Sequence, residues 1–250
     1  MSFYQPASTL NYRFGSVLSS FIQEEGLPFS SVLSEERIEQ VFRETDGSFA
    51  DAEDDAVDTP AITLWAFLSQ VFFKGEQRSC LAAVSRVAVF LVALGQKACS
   101  KNTGACCRAR AKIPTAAVRQ LAIKATATAE QNLPEEYLWL GRHVKIVDGF
   151  TVSMPDTVED QQEYPQAATQ KAELGFPLAR GGALFSLATG MALDLELGPY
   201  SGKQTGAMAL FRKLMGRLES GDIVLADCNY CSYFMIALLW ELKVDFVGRC

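Results

Sequence analysis

The chain has 250 residues, of which 49% are apolar, and a net charge of −6. This length can bury one large core or two domains of roughly 100–150 residues each. The two most apolar helical stretches span about fifteen residues, fewer than the roughly 20 that a membrane helix needs, and the start of the chain lacks a basic, apolar leader. We therefore expect a globular, cytoplasmic protein without a membrane span, in which the seven cysteines are reduced thiols.

Charge is distributed unevenly along the sequence. Residues 24–58 contain twelve acids against two arginines, whereas residues 74–124 contain ten bases against Glu76 alone. A segment with a net charge near +9 suits binding to the phosphate backbone of double-stranded DNA, although a solvated helix surface would give the same pattern. The candidate DNA-binding residues are Arg78, Lys101, Arg108, Arg110 and Lys112, together with Lys203 in the second half of the chain.

Helical patterns dominate the first half of the chain. The sequence predicts helices over residues 16–23, 34–43, 60–73, 80–94 and 114–130, a basic helix over residues 105–112, and an acidic loop over residues 45–58. Ser34, Thr59 and Ser79 are the predicted N-caps. The helices from residue 60 onward are compatible with a helix-turn-helix-like bundle. The pattern changes near Pro134, which predicts a mostly helical DNA-binding domain over residues 1–134 and a second domain over residues 135–250.

Strands dominate the second half. The sequence predicts strands over residues 144–154, 178–188, 191–197, 222–227 and 244–247, and helices over residues 203–218 and 232–242. This order is that of an RNase H-like fold, in which the fourth strand runs parallel to the first and beside it. The predicted fold class is α/β: a helical N-terminal domain, then an incomplete RNase H-like mixed sheet with flanking helices. Asp194 and Glu196 alternate with leucines and are expected to face solvent.

Two aspartates occupy similar positions in two of the predicted strands. Asp148 lies in an apolar run that ends at Gly149, and Asp227 ends the run over residues 222–227. An ionised carboxylate beside a packed sheet costs several kcal/mol unless a cation or hydrogen-bond donors compensate it. Paired carboxylate oxygens favour Mg²⁺ or Mn²⁺. Each Asp alone could merely cap a strand end or the next helix, but together they predict a divalent metal site.

Several motifs together resemble the DDE transposases of bacterial insertion sequences, specifically the insertion-sequence-four group. In the second half they are Gly-Arg-His-Val at residues 141–144, Asp148-Gly149, Met-Pro-Asp-Thr at 154–157, Gly-Pro-Tyr-Ser-Gly-Lys at 198–203, and Ala226-Asp227 before Tyr-Cys-Ser-Tyr-Phe at 230–234. In the first half they are Arg-Ser-Cys at residues 78–80, Thr-Gly-Ala at 103–105 and Ala-Arg-Ala-Lys at 109–112.

This resemblance implies DNA transposition by Mg²⁺-dependent (or Mn²⁺-dependent) phosphodiester hydrolysis and strand transfer, performed by a homodimer on DNA. Asp148 and Asp227 match the first two acids of the family's triad, and both would be catalytic metal ligands. Such sites hold two ions about 3.5–4 Å apart. The third acid, a Glu, has no counterpart before Cys250, and Phe150 and Cys228 replace the family's usual Thr and Arg. We therefore expect a C-terminally truncated, inactive form that still binds DNA.

Other functions fit parts of the sequence. A DNA-binding repressor with a dead nuclease-like domain would need the same basic segment. Cys228 and Cys231 form a CxxC motif at a strand–helix junction, as in thiol oxidoreductases, where the helix N-terminus would lower the thiol pKa. His143, the single histidine, is expected at the edge of the first strand without a nearby nucleophile. The cysteines at positions 99, 106 and 107 lack a fourth zinc ligand and are expected to act as small apolar residues.

Overall fold

The computed structural model describes residues 33–45, 59–93, 97–169, 171 and 174–249. Contacts divide the chain into two compact units, Met1–Leu121 and Ala122–Cys250. The predicted helix over residues 16–23 and the acidic loop beyond Thr45 lie outside the described residues. The domain boundary near residue 134 stays a prediction. No helix in the described ranges is both long enough and apolar enough to cross a membrane.

The described part of the first unit is helical. Its helices are α1 (Glu35–Thr45), α2 (Pro60–Phe72), α3 (Cys80–Ala93), α4 (Thr103–Ala111) and the first part of α5 (Thr115–Gln131), with a 3₁₀ turn at Gly75–Arg78. All five helices were predicted. The basic helix α4 begins earlier than expected because the Asn102 side chain accepts a hydrogen bond from the Gly104 N–H (2.9 Å) and caps it.

One core joins three of these helices. Its buried residues are Ile38, Val41 and Phe42 of α1, Ala61, Leu64 and Trp65 of α2, and Ala117 and Leu121 of α5. Two of the predicted caps fix where the first helices start. The Thr59 hydroxyl accepts a hydrogen bond from the Ile62 N–H (3.2 Å), and Ser34 Oγ accepts one from the Arg37 N–H (3.3 Å). Both caps are confirmed.

The second unit contains a five-stranded mixed sheet. Its strands are β1 (Val144–Ser153), β2 (Leu178–Ser186), β3 (Ala192–Pro199), β4 (Ile223–Ala226) and β5 (Asp245–Gly248), in the spatial order β3-β2-β1-β4-β5. β1 and β3 flank β2 antiparallel to it, while β4 runs parallel to both β1 and β5. The predicted α/β class is confirmed, and so is the predicted position of the fourth strand, parallel to the first and beside it.

The helices of this unit are α6 (Val158–Glu163), α7 (Ala207–Leu214) and α8 (Tyr233–Glu241), with 3₁₀ turns at Glu135–Tyr137, Met215–Arg217 and Cys228–Tyr230. The helix predicted over residues 203–218 is too long. Gly202 (φ 135°) and Gln204 (φ 60°) hold the preceding backbone outside the helical region, so α7 begins at Ala207. Helix α6 lies between the predicted strands over residues 144–154 and 178–188 and is capped by the Thr157 hydroxyl, which accepts a hydrogen bond from the Asp160 N–H.

Helices α7 and α8 pack against one face of the sheet. The core between them contains Val147, Leu184, Leu193 and Val224 from the strands, Phe211 and Leu214 from α7, and Met235 and Leu239 from α8. Gly182 lets α7 approach closely, because a Cβ at this position would lie 3.1 Å from Leu210 Cβ.

The opposite face of the sheet is partly open to solvent. Register places Leu225 between Ile146 and Val247, with all three side chains on this face, and Val247 is 47% exposed. Other exposed apolar side chains of the same face are Phe150, Val152 and Leu195. Apolar surface is therefore exposed on this face near β5.

The predicted solvent orientation of Asp194 is wrong. Its side chain is buried, and Oδ2 accepts a hydrogen bond from Arg217 Nε at 2.9 Å. Asp194 pairs with Leu184, so its side chain lies on the face of the sheet that α7 and α8 cover, whereas Leu195 lies on the open face. Alternation along a strand separates the two faces but does not tell which of them the helices cover.

Candidate metal site and basic surface

The register between β1 and β4 brings the two candidate metal ligands to one level of the sheet. Val144 pairs with Ile223 and Ile146 with Leu225, so partners are separated by 79 residues in the sequence. Asp148 and Asp227 have the same separation, which makes them level when the ladder is extended by two residues. Neighbouring strands lie about 4.8 Å apart. The sheet therefore brings together the two carboxylates that the sequence singled out.

Both aspartates line one cavity of about 680 Å³. The cavity lies between the ends of β1 and β4 and the start of α7. Two arginines, Arg180 of β2 and Arg212 of α7, also line it. A cavity with two carboxylates and two guanidinium groups offers oxygen ligands for a cation beside bidentate donors for a phosphate.

The carboxylates are less buried than the sequence argument assumed. Asp148 and Asp227 are both exposed, so the expected desolvation penalty does not apply to them. Asp148 Oδ1 accepts a hydrogen bond from the Gly149 N–H at 2.7 Å. Asp227 caps the following 3₁₀ turn, with Oδ1 accepting from the Asn229 N–H (3.0 Å) and Oδ2 from Asn229 Nδ2 (2.8 Å). Asp227 thus has the capping role that the sequence left open as an alternative.

Tyr230 lines the same cavity as the two carboxylates and was missed by the sequence analysis. The residue is 2% exposed, and its hydroxyl has no hydrogen-bond partner among the described residues. Burial, together with the negative charges of Asp148 and Asp227, raises the pKa of Tyr230 to about 12. The pKa of this one hydroxyl therefore depends on the charges of both aspartates. Gly149 makes room for it, because a Cβ there would lie 3.3 Å from the Tyr230 oxygen.

The two cavity arginines were also missed. Arg180 pairs across the ladder with Thr151, three residues beyond Asp148, and its guanidinium lies 4.7 Å from the centre of the Tyr200 ring. Only the β1–β2 register brings Arg180 near Asp148, and no pattern within β2 itself indicates it. Lys203, the predicted DNA contact in this unit, is exposed in the turn before α7 and does not line the cavity.

Phe150 occupies the position where the resemblance expects Thr. It pairs with Gly181 across the ladder, and its ring lies over that glycine so closely that a Cβ there would overlap the ring. Phe150 also lines the cavity. The aromatic ring thus forms an apolar wall beside Asp148 and covers a glycine that would otherwise leave a gap in the strand.

Carboxylate oxygens are the ligands that hard cations such as Mg²⁺ prefer, and Mg²⁺ usually keeps several waters beside one or two carboxylates. Within the described ranges, no group of three or more His, Cys, Asp or Glu side chains is arranged to hold a metal. Asp156 and Glu241, two further acids of the second unit, do not line the cavity. Asp156 Oδ1 instead accepts a hydrogen bond from Gln161 Nε2 at 2.9 Å.

Five of the predicted DNA contacts lie in the first unit. Arg78, Lys101, Arg108, Arg110 and Lys112 are all exposed and lie in or near the 3₁₀ turn and α4. Arg86, counted in the basic segment, instead faces inward. Its Nη2 donates to Ser69 Oγ and to the Gln77 carbonyl, and its guanidinium lies over the Phe73 ring at 4.3 Å. Burial lowers the pKa of Arg86.

The sequence analysis also named His143 and Cys228, neither of which lines the cavity. His143 precedes β1, as predicted, and its Nδ1 lies 3.2 Å from Glu130 Oε2. Cys228 begins a 3₁₀ turn, and α8 starts only at Tyr233 after the Ser232 cap. The acid Asp227, rather than the start of α8, adjoins Cys228. The thiol oxidoreductase stays a prediction without the expected helix contact.

Comparison with known proteins gives no family assignment: the scan of protein-family models and the search of curated proteins both found no match.

Proposed function

We propose that this chain is a DNA-binding protein whose second unit is an RNase H-like domain of the DDE transposase type. The observation that supports it is the position of Asp148 in β1 and of Asp227 directly after the adjacent parallel strand β4, level with each other by the register of the two strands. The motif resemblance adds the reaction class, which is hydrolysis and transfer of phosphodiester bonds at transposon ends. We further propose that the chain acts on double-stranded DNA as a homodimer.

Each residue has a role in this proposal. Asp148 and Asp227 would hold Mg²⁺ or Mn²⁺, which when bound supplies positive charge to the oxygens of a phosphodiester. Arg180 and Arg212, which line the same cavity, would position the phosphate. Tyr230 stays protonated at neutral pH because its pKa is raised to about 12, so its hydroxyl can donate a hydrogen bond into the site.

We infer that the residues described here bind DNA without cutting or joining it. Two carboxylates supply part of a two-ion site, and the described residues provide no third acid beside them. When several catalytic groups act together, loss of one of them removes nearly all of the rate of the catalysed reaction. A repressor with a dead nuclease-like domain is the second candidate, and the same missing acid favours it. Metal binding separates the two, because only the first requires it.

DNA binding is tested by reversing the charge of Arg108, Arg110 and Lys112 to Glu. If each contacts a phosphate, the slope of log affinity against log salt should fall by about 2.7, since each contact contributes roughly 0.9. Arg43→Glu, an exposed change in α1 outside the basic segment, is the matched control. An unchanged affinity and slope in the triple variant would remove the DNA-binding assignment.

The metal site is tested by titrating Mn²⁺ into the chain and following binding by calorimetry. Asp148→Asn and Asp227→Asn should each weaken binding by at least about tenfold, because each removes one of two charged ligands. Asp156→Asn should leave the affinity unchanged. Equal binding in all variants would refute the site and favour the repressor. Strand cleavage that Asp148→Asn abolishes would instead show that a third ligand exists.

A further inference from the structure

Two thiols meet between the helices of the first unit. Cys80 is the first residue of α3, and Cys107 lies in the middle of α4. The Cys107 thiol donates a hydrogen bond to Cys80 Sγ at a sulfur–sulfur distance of 3.6 Å. Both side chains are partly exposed, so small solutes in water can reach them.

Cys80 Sγ has two further donors within reach. Gln70 Nε2 lies 3.5 Å away and Arg110 Nη1 lies 4.0 Å away. Gln70 is itself fixed, because its Nε2 also donates to the Arg78 carbonyl (2.9 Å) and its Oε1 accepts from Arg110 Nη1 (3.1 Å). Three donors around one sulfur, one of them a guanidinium, form the environment that stabilises a thiolate.

The two sulfurs therefore have different chemistry. The hydrogen bond from Cys107, followed by that from Gln70 and the charge of Arg110, lowers the pKa of Cys80. Sharing its proton with Cys80 raises the pKa of Cys107. Cys80 is therefore the more acidic thiol of the pair. A reactive thiolate beside a protonated partner is the arrangement found in dithiol sensors of oxidants.

We propose that Cys80 and Cys107 form a peroxide-reactive dithiol that closes to a disulfide between α3 and α4. The Cys80 thiolate attacks one oxygen of hydrogen peroxide, the O–O bond breaks, and hydroxide leaves. The resulting sulfenic acid is then attacked by the Cys107 sulfur, which loses its proton as the sulfenic hydroxyl leaves as water. In total, two thiols lose two electrons, one peroxide is reduced, and two molecules of water form.

The geometry permits this closure with local motion. A disulfide has a sulfur–sulfur distance of about 2.0 Å, so the sulfurs must approach each other by about 1.6 Å from their 3.6 Å separation. Rotation of two partly exposed side chains supplies movement of this size. Arg110 then loses a negatively charged neighbour and retains its hydrogen bond to Gln70.

Peptide mapping of the full chain after peroxide treatment tests the proposal. Trypsin releases Cys80 in the peptide of residues 79–86 and Cys107 in that of residues 102–108, while Cys99 is released in a separate short peptide. We expect the first two peptides to be disulfide-linked in the unreduced digest. Because Cys106 shares the second peptide, Cys106→Ser is the matched control and should leave the link intact. A link through Cys106 or Cys99 instead would overturn the proposal.

Single variants separate the two steps. In Cys107→Ser, the Cys80 sulfenic acid should accumulate and be trapped by dimedone. In Cys80→Ser, peroxide consumption by the chain should fall by at least about tenfold, as expected when the thiolate is lost. Should either variant unfold, Gln70→Leu keeps both thiols and should still slow the oxidation of Cys80 severalfold. Oxidation of Cys80 no faster than that of the exposed Cys228 would refute the proposal.

Discussion

Lys145 Nζ and Asp222 Oδ2 lie 2.7 Å apart, with both side chains buried at the ends of β1 and β4 that face away from Asp148 and Asp227. The same ammonium donates to the Arg217 carbonyl at 2.8 Å, and Asp222 Oδ2 accepts from the Glu219 N–H at 2.7 Å. The ion pair thus connects the two strands that carry the candidate metal ligands. It fixes their pairing at one end while the aspartates lie at the other.

Removing one partner of this ion pair should be costly. Lys145→Met leaves the Asp222 carboxylate buried without its cation, so we expect the free energy of unfolding to fall by about 3–5 kcal/mol. The double variant Lys145→Met/Asp222→Leu should recover most of that loss, because no unpaired charge remains. Urea denaturation gives both values. Lys213→Met, on an exposed position of α7, is the control, and an equal loss there would contradict the prediction.

Tyr230 should make the protein sensitive to alkali. Its folded-state pKa of about 12 lies above the ordinary value of 10.0, so folding favours the protonated phenol. The resulting stabilisation is complete below pH 10 and is lost as the pH rises toward 12. Tyr230→Phe should abolish this part of the pH dependence, measured by urea denaturation at alkaline pH. Tyr233→Phe, at a position that is 80% exposed, is the control and should leave the pH dependence of stability unchanged.

The pKa of Tyr230 should also respond to the removal of a neighbouring carboxylate. In Asp148→Asn, one of the negative charges that raise the Tyr230 pKa is gone, so the phenol should ionise at lower pH. Ultraviolet difference spectra of the metal-free chain would follow this titration. Asp156→Asn provides the comparison, since Asp156 is absent from the charges that act on Tyr230. An unmoved titration in Asp148→Asn would mean that the carboxylate is farther from the phenol than the structure places it.

Gly182→Ala should destabilise the second unit. The added Cβ would lie 3.1 Å from Leu210 Cβ, an atom fixed to the backbone of α7, so the helix must move away from the sheet. Overpacking of this kind costs about 1–3 kcal/mol. Gly216→Ala is the matched control, because nothing lies within 4 Å of a Cβ there. Thermal and urea unfolding should separate the two variants, and equal stability would show that α7 adjusts freely.

The open face of the sheet should limit solubility. Leu195 and Val247 are 46% and 47% exposed on this face, and exposed apolar surface of a sheet promotes association. Leu195→Lys and Val247→Lys should therefore raise the concentration at which light scattering still detects a single species, with little change in Tm. Leu184→Lys, at a fully buried position of β2, should unfold the unit. Unchanged association in the surface variants would argue against this face as its cause.

The sequence predicts those features that depend on residues close to one another in the chain. Helix caps such as Thr59 and apolar runs such as residues 144–147 were enough to predict nearly every described helix and strand. Prediction failed where the decisive contact joins distant parts of the chain or where the backbone leaves its regular path. The pairing of Asp194 with Leu184 places its side chain on the helix-covered face, and Gln204 at positive φ shortens α7.

The residues of the candidate site divide in the same way into those that local sequence predicts and those that it does not. Asp148 and Asp227 were found because each ends a recognisable apolar run. Tyr230, Arg180 and Arg212 were missed because each comes from a different element and reaches the cavity only through the tertiary fold. A tyrosine in a turn or an arginine in a strand has no periodicity or cap that would indicate its distant neighbour.

The level placement of Asp148 and Asp227 has a consequence for insertions and deletions. Extra residues in the connections from β1 to β2 or from β3 to α7 leave both aspartates in place, and doubling the length of such a loop costs only about 0.6 kcal/mol. Loss of a single residue between Val144 and Asp148 would instead turn the aspartate toward the helix-covered face. The protein should therefore tolerate large changes of length in these loops and almost none in the segment of β1 from Val144 to Asp148.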